Sequence, residues 1–206
     1  MHHTLRLAVL GLSLSLLGGC ATMSEQECRT ANWQLIGLED GVNGQPLTRL
    51  GDRHNACSKH GVIPDQSAYQ LGFDEGVRRY CTPANGYEQG LKGNTYHQVC
   101  PADLHDAFAE QYRQGKRRYE VQRDLARFND QIESQQSDIH RLEREIAQKE
   151  AELERPLLPE LRRAQLRTEI KQHKASIQQR ESEQRKTKRL KTLKQVELAA
   201  LVIPRF

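Results

Sequence analysis

Residues 118–153 read RYEVQRDLARFNDQIESQQSDIHRLEREIAQKEAEL. A heptad seam runs through 118, 121, 125, 128, 132, 135, 139, 142, 146, 149 and 153. Eight of its eleven positions are apolar: Val121, Leu125, Phe128, Ile132, Ile139, Leu142, Ile146 and Leu153. That spacing predicts a long helix buried along one stripe. Upstream the helix extends to Pro101, with Asp103 and Asp106 in first turns that favour negative charge. A helix over about 102–154 would be roughly 75–80 Å long. Downstream, Arg155-Pro156-Leu157-Leu158-Pro159 interrupts it, since Pro156 cannot continue a helix and Pro159 suits the first turn of a new one. The second helix carries Leu161, Leu166, Ile170 and Ile177, a polar run, then Leu190 and Leu193. Folding back near residue 158 sets Ile146 against Ile170, Ile139 against Ile177 and Ile132 against Gln184. The expected fold is therefore all-α, with a long antiparallel hairpin whose open end loosens. The competing arrangement is a parallel homodimer through 118–153, in which Gln135 and Lys149 fix the register.

At the other end, MHHTLRLAVLGLSLSLLGGC opens with a short basic segment and an apolar run from Leu7 to Leu17. The run is too short to span a bilayer as a helix and fits the apolar part of a secretory signal. Its end, Leu17-Gly18-Gly19-Cys20, resembles the lipobox of bacterial lipoproteins. The resemblance implies removal of residues 1–19, acylation of Cys20, and a short tether over 20–24. Two or three acyl chains anchor stably, at about 0.8 kcal/mol per buried CH₂. Ala21 stands where many Gram-negative lipoproteins carry an inner-membrane retention Asp, so the expected location is the periplasmic face of the outer membrane. The inner membrane is the alternative.

Setting Cys20 aside leaves Cys28, Cys57, Cys81 and Cys100. An even number in an oxidising compartment predicts two disulfides, with three connectivities open. Residues 25–42 and 48–60 read as antiparallel helices joined by a turn at 41–46. Cys28 then begins the first and Cys57 ends the second, which favours Cys28–Cys57 and Cys81–Cys100, the latter across a turn at Asn85-Gly86. A different reading takes Cys57-Ser58-Lys59-His60 and His97-Gln98-Val99-Cys100 as zinc-chelating pairs. Export and the unspent Cys28 and Cys81 argue against it.

Glycines recur after aromatic residues: Trp33 before Gly37 and Gly41, Tyr69 before Gly72 and Gly76, Tyr87 before Gly90 and Gly93, Tyr112 before Gly115. Such spacing puts ring and glycine on one helical face. Each helical glycine costs about 0.5–1 kcal/mol relative to alanine, so a close contact must offset it. Packing of a ring into the notch is the favoured reading. Stacking on a bound sugar or other ligand is the alternative. The glycines read as echoes of one device, with no fixed period.

The set Cys28, Trp33, Gly37, Gly41, Cys57, His60-Gly61-Val62, Tyr69, Gly72, Gly76, Tyr80-Cys81, Tyr87, Gly90, Gly93, Val99-Cys100-Pro101, Phe108, Tyr112 and Gly115 resembles the bacterial lipoprotein family catalogued as domain of unknown function 2799. The resemblance covers about residues 25–119. It implies an exported, cysteine-bearing domain with a lipobox, and no reaction.

Composition limits the tasks open to the chain. A net charge of +4 is too mild to argue for a polyanion partner, and a mean hydropathy of −0.79 argues against one large core. Arg185, Lys186, Lys188, Arg189, Lys191 and Lys194 form the one dense basic run, suited to lipid phosphates, lipopolysaccharide or an acidic protein surface, while export disfavours nucleic acid. No hydrolase, phosphate-loop, zinc-protease or Cys-x-x-Cys motif occurs. Asp74-Glu75 with His54, His60 or His97 could do general acid–base work, but nothing in the spacing singles them out. The expected protein has no cofactor or metal: a disulfide-stapled domain (25–101), a long coiled-coil helix (102–155) and a returning basic helix with tail (156–206). Its expected role is a non-catalytic envelope lipoprotein presenting its hairpin to a protein, peptidoglycan or lipopolysaccharide. The alternative is a small periplasmic ligand- or metal-binding protein using residues 54–100.

Overall fold

The computed structural model describes residues 23–206. The leader, Cys20 and Ala21 lie outside the described residues. The expectation of one domain over 25–101 gives way to two compact units that divide after Tyr80.

The first unit, residues 23–80 with 97–99, holds α1 (Glu25–Thr30), α2 (Trp33–Val42), α3 (Arg49–Cys57), a 3-10 turn (Ser58–His60) and α4 (Gln66–Tyr80). The second, residues 81–96 with 100–206, holds α5 (Pro83–Leu91), α6 (Ala102–Leu153) and α7 (Glu160–Ala200). No strand occurs among the described residues.

The helix expected over 25–42 is two helices. Ser24 caps the first in a reciprocal box with Glu27. Asn32, in an extended conformation, caps the second by accepting from the Leu35 N–H at 3.0 Å. Nor do α2 and α3 form the main antiparallel pair. The chief partner of α2 is α4, and the two run parallel: Gly37 meets Tyr69 and Phe73, and one turn on Gly41 meets Phe73, Gly76 and Val77.

In this pair Gly37 and Gly41 on one helix interlock with Gly72 and Gly76 on the other. A Cβ at Gly41 would stand 2.9 Å from the Gly76 Cα, and one at Gly76 the same distance from the Gly41 Cα. Only glycines let two backbones approach so closely, the device by which small residues pack transmembrane helices. The notches are filled by backbone. Rings enter at the helix ends instead, where Tyr80 lies against Gly44.

The same construction recurs in the second unit. Asn85-Gly86 is not a turn but lies inside α5, which begins at a Thr82 cap followed by Pro83. Gly86 packs on Phe108, Gly90 on Tyr112 and Gly115, and Tyr119 lies against Gly93. Gly37, Gly41 and Gly44 thus correspond to Gly86, Gly90 and Gly93 at a constant offset of 49 residues. Tyr69, Phe73, Gly76 and Tyr80 correspond to Phe108, Tyr112, Gly115 and Tyr119 at an offset of 39. Even the helix ends agree. The Gly44 and Gln45 N–H groups bond the Gly41 and Asp40 carbonyls, and those of Gly93 and Asn94 bond Gly90 and Gln89. Gly44 and Gly93 take φ of 61° and 76°, the left-handed turn that ends a helix. The glycine echoes are therefore a true duplication of a parallel helix pair, with connections of unequal length.

The second helix of the second pair continues as α6, 52 residues long, about 78 Å at 1.5 Å per residue. It packs along α7 as an antiparallel hairpin. Val121, Phe128, Ile139, Leu142 and Ile146 of the seam are buried, with Leu166 and Ile170 opposite, so the seam that could have paired two copies is occupied within the chain. At the turn, Arg163 donates to the carbonyls of Leu153, Arg155 and Leu158 at 3.0, 3.0 and 3.1 Å. One side chain thereby ties the end of α6 and the connection after it to the start of α7.

The expected loosening of the open end does not occur. Where the apolar match runs out, Gln135, Gln184 and Thr187 are buried instead, and the Gln184 amide donates to Gln136 at 3.0 Å and to the Ile132 carbonyl at 3.4 Å. Ion pairs continue the zipper: Arg180–Asp138 at 2.7 Å, Lys194–Asp124 at 3.6 Å and Arg117–Glu197 at 3.5 Å. Arg118 reaches the Leu201 carbonyl at 3.5 Å, and the Phe206 ring lies 6.2 Å from Tyr87.

Candidate functional site

Of the three connectivities open to the cysteines, the structure holds Cys28–Cys57 and Cys81–Cys100, with Cα separations of 5.5 and 5.6 Å. One bridge stands at the head of each helix pair. With Cys57 and Cys100 so bonded, the Cys/His pairs offer no thiolate to zinc. Among the described residues no group of three or more His, Cys, Asp or Glu side chains converges on a metal position.

The aromatic and glycine candidates are interior fittings. Trp33, Tyr69 and Tyr87 are buried, as are Gly37, Gly41, Gly72, Gly76 and Gly90, whose missing side chains leave room only for the partner backbone. The acid–base candidates are scattered. Asp74 accepts from Gln70 at 2.7 Å, Glu75 pairs with Arg79, and His60 lies 3.9 Å from Glu25. His54 and His97 are exposed.

One cluster escaped the sequence. Asp40, in the last turn of α2, is buried, and accepts from Arg53 Nε and Nη2 of α3 at 2.9 and 2.7 Å and from the Tyr69 hydroxyl of α4 at 2.8 Å. Burial pulls the Arg53 guanidinium down, but the hydrogen bond and charge of Asp40 carry it above its ordinary value. Burial, then the Asp40 hydrogen bond, push the Tyr69 phenol well above 10.0. This triad ties three helices through one carboxylate, and its fully buried phenol offers nothing to a substrate. Three residues on three helices, at separations of 13 and 29, leave no local signature.

The second unit has an aromatic cluster in the corresponding region. The Tyr96 ring lies 4.7 Å from Phe108 and 5.6 Å from Tyr112, with its hydroxyl 3.0 Å from His105 Nδ1. Tyr112 donates to the Asn94 carbonyl at 2.7 Å, and Lys116 to that of Gly93 at 2.9 Å. These contacts lash the connection to α6. Beside them an open groove of about 510 Å³, lined by Arg113, Lys116, Arg117, Glu120 and Lys194 among others, carries both signs of charge.

With both helix pairs described, their sequence can be placed. Residues 32–117 match the model of a family described as a protein of unknown function, DUF2799. The segment is similar to that family. It opens at the Asn32 cap of the first helix pair and closes just past Lys116, the last contact of Gly90 in the second. The hairpin beyond Arg117 lies outside the match. Comparison with curated proteins and with solved structures yields no match.

The basic run lies on α7. Lys194 is taken up by Glu197 at 2.8 Å and by Asp124, and hydrogen bonds and charge from these acids raise its ammonium above the usual value. Lys191 is half-buried. Lys188 bonds Gln184 at 2.8 Å while remaining exposed, and Arg185 lies 3.9 Å from Glu181. Lys186 and Arg189 face solvent. The run therefore splits into cations that stitch the hairpin and cations that face outward. No helix among the described residues is long and apolar enough to cross a membrane.

Proposed function

We propose that this chain is a lipid-anchored protein of the bacterial envelope, held at the periplasmic face of the outer membrane through acylated Cys20. Each stapled helix pair is a structural module, and the hairpin is the element presented to other envelope components. The observation that carries this reading is the division of labour along the chain. The glycines, buried aromatics and cysteines of 25–119 are spent on backbone contact and disulfides. The hairpin, by contrast, leaves outward-facing cations on α7 and apolar side chains at its turn, with Leu157 and Leu161 at 96% and 75% exposure. The role is one of binding rather than catalysis.

Photocrosslinkers placed along α6 and α7 in intact cells test the presenting role. A discrete adduct from hairpin positions, absent from positions on α4, is the expected outcome; removal of residues 120–206 without effect on any adduct or envelope phenotype would defeat the reading. Fractionation of Cys20→Ala tests the anchor, with release from the outer-membrane fraction expected and retention there counting against it.

A further inference from the structure

We infer that the outward face of α7 and the tail after it form a docking surface for an anionic lipid bilayer. The inference deepens the proposed role of the hairpin and rests on it only for location. Positions 184, 187, 191, 194 and 198 face α6, being buried or half-buried. Positions 186, 189, 193, 196 and 200 therefore share the opposite face, and all five are exposed. That face is basic in its first half, through Lys186 and Arg189 with Arg185 and Lys188 at its borders. In its second half it is apolar, through Leu193 at 66% and Val196 at 64% exposure, with Leu190 at 50% beside them. The tail adds Val202, Ile203 and Phe206, all more than half exposed.

Six of the thirteen large apolar side chains exposed among the described residues fall within 190–206, so the apolar exposure is concentrated where the cations are. Between 185 and 206 stand seven cations and a single acid, Glu197, which is engaged by Lys194 and Arg117. Charge complementarity chooses the occupant. A second copy of this face would oppose cation to cation when parallel and cation to apolar side chain when antiparallel, and a neutral protein groove would leave Lys186 and Arg189 unmatched. A bilayer with anionic headgroups satisfies both halves at once: phosphates take the cations, and the boundary of the acyl region takes Leu193, Val196 and the tail.

The test uses the full chain carrying Cys20→Ala, so that acylation contributes nothing, with vesicles of phosphatidylglycerol or of phosphatidylcholine. Sedimentation reads partitioning, and mass spectrometry reads acylation of lysines by a water-soluble reagent, which is blind to how residues 1–19 behave. Phosphatidylglycerol vesicles are expected to protect Lys186 and Lys188 several-fold while exposed Lys171 stays reactive, and phosphatidylcholine to protect none. Lys186→Glu with Arg189→Glu lowers partitioning about ten-fold or more at low salt, an effect that fades at high salt. Leu193→Ser with Val196→Ser lowers it at both. Equal labelling of Lys186 with and without anionic vesicles overturns the inference, as does equal protection by both lipids. Either failure leaves the Cys20 fractionation result standing, so the two readings fall separately.

Discussion

At corresponding places in the two helix pairs stand Tyr69 and Phe108, both fully buried. Tyr69 gives its hydroxyl to Asp40, which Arg53 also holds. At the position corresponding to Asp40 the second pair has Gln89, which bonds Asn85 at 3.0 Å and Asn94 at 2.7 Å. The frame is shared, and the finish differs: an ionic knot joins α2, α3 and α4, whereas an aromatic cluster and short amide bonds close the other. The backbone contact through glycine fixes how the helices meet. What fills the space around it is free to change.

The comparison breaks most sharply at the glycines. Gly41→Leu drives a side chain into the backbone of α4, and Gly90→Leu does the same to α6. Each is expected to destabilise its own pair by more than about 4 kcal/mol. Limited proteolysis should release fragments from the mutated pair while the other stays protected, and protection lost equally in both would show that they are not separate modules. The bridges come next. Removing Cys28–Cys57, which spans 29 residues, costs about 3.6 kcal/mol, and removing Cys81–Cys100, spanning 19, about 3.3 kcal/mol. Denaturant titration of the paired Cys→Ser variants checks that near-equality.

Exchanging the finishing residues sharpens the contrast. Phe108→Tyr buries a hydroxyl with no carboxylate opposite and costs about 1–3 kcal/mol. Tyr69→Phe removes one of three bonds to Asp40 and costs about 1 kcal/mol. If Phe108→Tyr proves the milder change in thermal unfolding, the two sites are interchangeable and the ionic knot has no special place. Tyr69→Phe should also remove a phenol that resists ionisation well above pH 10.0, visible as a reduced late step in tyrosinate absorbance.

The smallest effect belongs to the hairpin. Hydrogen bonds from Arg162, Lys149 and Lys194 hold the Glu152, Glu169 and Glu197 carboxylates below their ordinary 4.5. The folded hairpin thus binds fewer protons than the unfolded chain. Its ion-pair stability is full above about pH 4.5 and declines as pH falls through the lowered values. Thermal melts followed by circular dichroism should shift down on acidification below that point.

Much of this architecture was legible in the sequence. Heptad spacing and the Pro156 to Pro159 break located α6, α7 and their fold-back, because a buried stripe must repeat with the helix. The aromatic-to-glycine spacing identified the packing residues but in the wrong frame. Aligning Tyr69 with Tyr112 hides that Tyr69 corresponds to Phe108 and Phe73 to Tyr112, and connections of unequal length erase any single period. The polar closure of the open end was missed because buried Gln184 and Thr187 look like solvent-facing residues in a composition count. The Asp40 knot was illegible, since nothing local distinguishes a buried Asp from an exposed one.

Each cysteine of the described chain is bonded to its immediate neighbour in sequence order. In the proposed envelope lipoprotein, with Cys20 acylated, a chain delivered N-terminus first offers Cys28 a single partner, Cys57, before Cys81 has emerged, and the second bridge likewise finds only its own two thiols free. Oxidation in order of arrival gives the native connectivity without reshuffling. A simple thiol oxidant suffices for maturation, and loss of a disulfide isomerase should leave the yield of correctly bridged protein unchanged.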